Sequence, residues 1–121
     1  VYVTSFGYRY GIPVDADIIL DVRFLANPYF VADLKPLAGY DPAVRDYVLS
    51  LPESAQFVEK MTDLIGYLLP LYEREGKSRL NIALGCTGGR HRSVVMANRL
   101  CMELCAWNYP ASVHHRDIDK T

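Results

Sequence analysis

The run Leu80 to Val95, LNIALGCTGGRHRSVV, holds the side chains of this sequence whose types and spacing could do chemistry together. Thr87, His91, Arg92 and Ser93 bring two hydroxyls, an imidazole and a guanidinium to a turn that also contains Gly85, Gly88 and Gly89. Glycines permit positive φ and close backbone approach, so several peptide N–H groups can converge on one oxyanion. A helix starting at the same point adds the positive end of its dipole, and His91, Arg92 and Ser93 add side-chain donors. The chemistry this predicts is the binding of a phosphate or a phosphorylated metabolite.

The same loop supports a covalent alternative. Cys86, Gly89, Arg92 and Ser93 keep the C-x-x-G-x-x-R-[ST] spacing of cysteine-dependent phosphatases, in which a thiolate at the loop base attacks phosphorus and the arginine grips the equatorial oxygens. Gly85 stands where such enzymes usually carry a histidine, and no residue marks itself as general acid, so the spacing lacks its supporting groups. A third reading is an RNA-binding module built on Arg90, Arg92, Arg99, Arg116 and Lys120. With a net charge of −1, any nucleic-acid contact has to come from such a local patch rather than from bulk charge.

The elements that must position this loop are legible in the hydrophobic pattern. Leu80 to Leu84 reads as a strand, and the residues after Arg92 as a helix whose stripe Val94, Ala97, Asn98, Cys101, Leu104 and Cys105 faces the core. Val1 to Phe6 and Ala16 to Val22 are expected to be neighbouring strands of one sheet, the second covered on both faces because its apolar run is nearly continuous. Residues 25 to 42 look irregular. Asp41-Pro42 then reads as a helix cap and first helical residue. Phe57, Val58, Met61, Leu64, Ile65, Leu68, Leu69 and Tyr72 mark a helix from Ser54 to Tyr72 that Pro70 should kink or shorten before the break at Gly76. Ser112 to His115 is a last extended segment, with His114 and His115 pointing to opposite faces and no metal site implied.

Strands alternating with helices predict an α/β layer fold, a single domain over residues 1–121 with a small, mainly parallel sheet flanked by helices. Such sheets bind ligands at the carboxyl ends of their strands. Asp21, Arg23, Asn27 and Tyr29, which follow the strand at Ala16 to Val22, should therefore meet the glycine loop at one edge and could take the hydroxyl or amino groups of a sugar phosphate. Asp21 and Arg23 are also spaced to form a plain ion pair, and Tyr29 to be a packing aromatic.

Composition limits the alternatives. The chain has 121 residues, half of them apolar, enough for a real core. Three cysteines without dense spacing fit a reduced, cytoplasmic setting, and no apolar run approaches the roughly 20 residues of a membrane span. The direct start on VYVTSF reads as a piece of a longer protein.

The run SFGYRYGIPVDADIILDVRFLANPYF, with GYDPAV, Leu69-Pro70 and IALGCTGGRHRSV, resembles the carboxy-terminal domain of the RapZ family, the YvcJ-like P-loop nucleotide-binding proteins, from Thr4 to Asp117. The resemblance implies a binder rather than an enzyme. It implies a domain that senses glucosamine-6-phosphate and binds small RNA within an oligomeric adapter serving a ribonuclease. By the same resemblance, the pocket falls on Asp21, Thr87, Gly88, His91 and Arg92, with Arg23 and Asn27 beside it. The nucleotide-binding half of such proteins is not in this sequence, which has no G-x-x-x-x-G-K-[ST], so no cofactor is expected here. Two departures stand out: the family's NP-His is NP-Tyr at Tyr29, and the basic tail is reduced to Ile118-Asp119-Lys120-Thr121 after Asp117.

Overall fold

In a computed structural model describing residues 1–120, the chain forms four strands and three helices. The strands are β1 (Tyr2–Gly7), β2 (Ile18–Asp21), β3 (Asn81–Cys86) and β4 (Ser112–His115), and the helices α1 (Pro42–Leu49), α2 (Pro52–Glu75) and α3 (Arg92–Ala106). The sheet runs β2-β3-β1-β4 with every pairing parallel, as the α/β reading anticipates. One expectation is corrected. The strands at the two ends of the segment 1–22 are not neighbours, because β3 lies between them and pairs with both.

Position in the sheet explains the burial pattern. β3 has a strand on each side and is buried from Ile82 to Cys86, which is why its apolar run does not alternate. β2 is an edge strand, so its equally apolar run is not covered on both faces: Ile18 and Leu20 pack toward the core while Ile19 remains 40% exposed.

Helix α1 starts as its sequence dictates, with the Asp41 carboxylate accepting the Ala43 N–H at 2.9 Å and Pro42 in the first turn. Helix α2 begins at Pro52 and runs through Pro70 to Glu75, so Pro70 does not shorten it. Pro70 and Gly66, whose carbonyl loses its usual N–H partner, both lie on the exposed face, where water can satisfy that carbonyl. Gly76, at φ +88°, closes the helix. Of the stripe on α2, Met61, Ile65 and Leu69 are buried, whereas Leu64 is exposed.

Helix α3 lies on β1 and β3, with α1 and α2 packed against it. Its first turns are therefore buried nearly all round, through Val94, Val95, Met96, Ala97, Leu100 and Leu104. This corrects the expected stripe: Asn98 and Cys101 are only half-buried and Cys105 is exposed. Burial of each large aliphatic side chain contributes about 1.5–3 kcal/mol, so α3 is the part of the core that fixes the loop at its own N-terminus.

Candidate anion-binding site

Parallel pairing places the carboxyl ends of the strands along one edge. Gly7 faces Cys86 and Asp21 faces Gly85 in the register, and the chain turns from Cys86 through residues 87–91 into α3. The turn is clamped on two sides, by Arg9 N–H donating to the Thr87 carbonyl at 3.1 Å and by Gly39 N–H donating to the Arg90 carbonyl at 2.8 Å. Of its glycines only Gly89 has positive φ, at +80°. Gly85 is in regular strand, where a Cβ would lie 2.4 Å from the Phe6 ring, and Gly88 is pressed against Gly7. The expectation that all three supply positive φ is thus corrected: Gly85 supplies clearance for the Phe6 ring instead, and the close approach to Gly88 is made possible by Gly7.

The turn forms the floor of a cleft of about 690 Å³. Its lining includes Arg9, Lys35, Arg90 and Arg92 and, among the described residues, not one acidic residue. Cys86, Thr87, Gly88, His91, Asn27 and Tyr29 also line it, so seven residues expected from sequence to bind the ligand, Arg92 among them, meet here, with Arg90 from the RNA-binding reading. Arg9, Lys35, Pro36 and Phe30 join them, none of which the sequence marks as a site residue. Asn27 caps the short helical turn Pro28–Phe30 by accepting the Tyr29 N–H at 3.1 Å, and Lys35 lies over the Tyr29 ring at 4.4 Å.

Arg92 is 4% exposed. Its Nη1 donates to the carbonyls of Arg23 (2.7 Å) and Leu25 (3.0 Å), Nη2 reaches Thr87 Oγ1 at 3.4 Å, and Nε is buried without a partner. Burial lowers its pKa, opposed by the electrostatic influence of the neighbouring Cys86 and Asp21 side chains. Among the described residues no carboxylate forms an ion pair with it, so a cation is sunk in the floor of the cleft and held by two backbone carbonyls and the Thr87 hydroxyl. His91 is also buried. Desolvation lowers its pKa, and Nε2–H of the neutral ring donates to the Leu37 carbonyl at 2.6 Å.

Asp21 and Arg23 form the ion pair their spacing allows, with Nη2 to Oδ2 at 2.6 Å and Nε to both carboxylate oxygens at 3.0 Å. The hydrogen bond from Arg23 lowers the Asp21 pKa although burial opposes it, and Arg23 stacks on Tyr8 at 3.8 Å. The pair stands at the rim, outside the lining of the cleft, and Arg23 meets the site through its carbonyl. Ser93 and Gly89 also stay off the lining: Ser93 Oγ lies 3.1 Å from Cys86 Sγ, and Gly89 N–H donates to that sulfur at 3.3 Å. The thiol thus sits at the loop base, as the phosphatase spacing expects, and Asp21, held ionised, is a poor general acid.

The cations proposed for RNA do not act as one open patch. Arg116 and Lys120 both clamp the fully buried Asp117 carboxylate, at 2.7 and 2.8 Å, and Arg90 donates to the Ile118 and Pro36 carbonyls. Arg99 pairs instead with Glu103 on α3. Asp117 is a site residue that sequence reasoning missed. It accepts the Gly7 N–H at 2.8 Å, and its Cβ abuts Gly89, so the C-terminal turn braces the loop at residues 86–91. Burial pushes its carboxyl up, but the bonds from Arg116, Gly7 and Lys120 outweigh this and hold its pKa at about 2. His115 is not a free exposed histidine either. It bridges Ser5 Oγ (2.7 Å) and Asn98 Oδ1 (2.9 Å), and burial lowers its pKa. Among the described residues no group of three or more His, Cys, Asp or Glu side chains could hold a metal, and no helix is long and apolar enough to cross a membrane.

Comparison with known proteins agrees with these motifs. Curated relatives named nucleotide-binding protein are 52% identical in Geobacter metallireducens and 55% in Limosilactobacillus fermentum, each over 120 residues, 99% of this chain and 42% of the relative. A relative of the same description in Bacillus cytotoxicus is 55% identical over 120 residues, 99% of this chain and 41% of its own. The chain therefore spans about two-fifths of the length of the curated relatives it matches. Residues 1–119 match the RapZ C-terminal domain, and the chain belongs to that family.

Proposed function

We propose that this domain is a regulatory binding module whose ligand is a phosphorylated amino sugar of the glucosamine-6-phosphate type. The phosphate would sit on the Cys86–Ser93 loop and the sugar would reach toward Asn27, Tyr29 and the Asp21–Arg23 rim. The observation that carries this reading is Arg92: a guanidinium 4% exposed, with no ion-pair partner among the described residues and an unpartnered Nε, in a cleft lined by three further cations. A dianion would balance that charge and could accept hydrogen bonds from the loop and from the N-terminus of α3. Small RNA and a ribonuclease, implied by the family, would be partners of the whole oligomeric protein in the cytoplasm. The cations assigned to RNA are engaged with Asp117, with carbonyls or with Glu103, which favours metabolite over RNA as the ligand of this domain. The contacts of Cys86 keep phosphatase activity as a second reading, tested by release of phosphate from an aryl phosphate and its loss in Cys86→Ser.

Calorimetric titration with glucosamine-6-phosphate, inorganic phosphate and glucosamine tests the main reading. Binding that needs both the amino sugar and its phosphate supports it. Undiminished affinity in a folded Arg92→Ala variant would sink it.

A further inference from the structure

We propose that the ligand of this cleft carries two phosphoryl groups, as in an amino-hexose 1,6-bisphosphate, with the second held by Lys35; this rests on the anion-binding function proposed above. Charge gives the first reason. Arg9, Lys35, Arg90 and Arg92 line the cleft, and among the described residues no acidic side chain does. Neither Arg9 nor Lys35 has a carboxylate partner among the described residues. A glucosamine monophosphate brings a phosphate charge of about −2, offset in part by its own ammonium group, and leaves the cleft with excess positive charge. A concave site lined by one sign of charge favours the ligand that matches it, and a second phosphoryl group does so.

The placement of the cations gives the second reason. Arg92 lies in the floor, and Arg9 is tied to the loop by its N–H on the Thr87 carbonyl at 3.1 Å, so both belong with a phosphate on the loop. Lys35 lines the cleft from a different segment, with Nζ 4.4 Å from the centre of the Tyr29 ring. Tyr29 is held in place: its turn, Pro28–Phe30, is capped by Asn27, Pro28 is buried, and the Tyr29 and Phe30 rings meet edge to face with centroids 5.5 Å apart. An ammonium on a flexible stem, set against an aromatic face, keeps donors for an anion beside that ring. Phe30, 82% exposed, adds an apolar wall that water alone covers in the chain by itself. The volume agrees, since about 690 Å³ falls within the roughly 300–1,000 Å³ of clefts that enclose whole small molecules. A hexose lying along Tyr29 and Phe30 would then join a phosphate on the loop to a phosphate at Lys35.

The test is calorimetric titration with inorganic phosphate, glucosamine 6-phosphate and glucosamine 1,6-bisphosphate, in the parent chain and in Lys35→Ala and Lys60→Ala. Lys35 is exposed, so truncating it leaves the core intact, and Lys60, exposed on α2, controls for the loss of one positive charge. One charge-assisted hydrogen bond sets the expected gain: the bisphosphate binds at least about tenfold tighter than the 6-phosphate in the parent and in Lys60→Ala, and no tighter in Lys35→Ala. Equal affinity for the two sugar phosphates in the parent overturns the proposal and leaves the anion site standing, as does a gain that survives in Lys35→Ala. A gain lost equally in Lys60→Ala is an effect of net charge and overturns it too. Absence of binding by all three ligands removes the anion-binding function, and the second phosphate with it.

Discussion

Replacing Gly7 by alanine tests whether the loop at residues 86–91 is the seat of binding, without touching any group that would contact the ligand. Gly7 has φ −106°, a conformation alanine adopts freely, so backbone strain plays no part. A Cβ there would lie 2.4 Å from the Gly88 carbonyl carbon, 2.6 Å from its oxygen and 2.8 Å from Gly89 N. These are backbone atoms, and ordinary contact begins at 3.4 Å, so something must yield by about 1 Å. Gly7 is held by pairing to β3 and by its N–H on Asp117, which leaves the 88–89 turn to move into the cleft. Overpacking of this kind costs about 1–3 kcal/mol of stability. A turn displaced by about 1 Å should lose at least one charge-assisted hydrogen bond to the anion, about 1.5–3 kcal/mol, or roughly 10- to 100-fold in affinity. Calorimetry with inorganic phosphate and glucosamine-6-phosphate, alongside thermal unfolding, measures both effects. Gly66→Ala, where a Cβ meets only the Trp107 ring at 3.5 Å, serves as the control and should leave binding intact. A Gly7→Ala protein that is destabilised but binds phosphate as the parent does would refute the assignment of the anion to this turn.

Further expectations follow from the other buried charges. Arg92→Lys keeps the charge but cannot span the Arg23 and Leu25 carbonyls in the same way, so phosphate affinity should fall roughly 10-fold or more in titrations while the circular dichroism spectrum persists. Asp117→Asn leaves Arg116 and Lys120 without their counter-charge and should cost about 2–4 kcal/mol in urea unfolding, with weaker phosphate binding because the brace on Gly7 is loosened. In the parent protein the stabilisation from Asp117 is fully present above its unfolded pKa near 3.8 and is lost as pH falls toward about 2; acid unfolding curves of the two proteins should converge over that window. His91 and His115 have lowered pKa values, so the unfolded chain takes up protons first and stability should fall as pH drops below about 6.5. A Ser5→Ala, His115→Gln double variant should show a shallower fall in melting temperature between pH 7.5 and 5 than the parent.

Local rules carried the reading a long way. Each strand and helix, the cap at Asp41, the stop at Gly76 and the start of α3 at Arg92 follow from side-chain periodicity and capping chemistry that act within a few residues. The concentration of Thr87, His91 and Arg92 in one turn is local in the same sense, as is the Asp21–Arg23 pair. What remained closed to the sequence depends on strand order. An apolar run does not say whether its strand is central or at an edge, so β2 reads like β3 although only β3 is enclosed. Once β3 is inserted between β1 and β2, Gly7 meets Gly88, and the adjacency of β4 to β1 brings Asp117 under Gly7. Arg9 and Lys35 also line the cleft, although nothing in the sequence marks either as a site residue. The proposed type of ligand thus rests on a short stretch of residues whose donors need only one turn to converge. The shape of its seat is decided by contacts between segments up to 110 residues apart, which exist only when the sheet has closed and close packing leaves the loop a single place to lie.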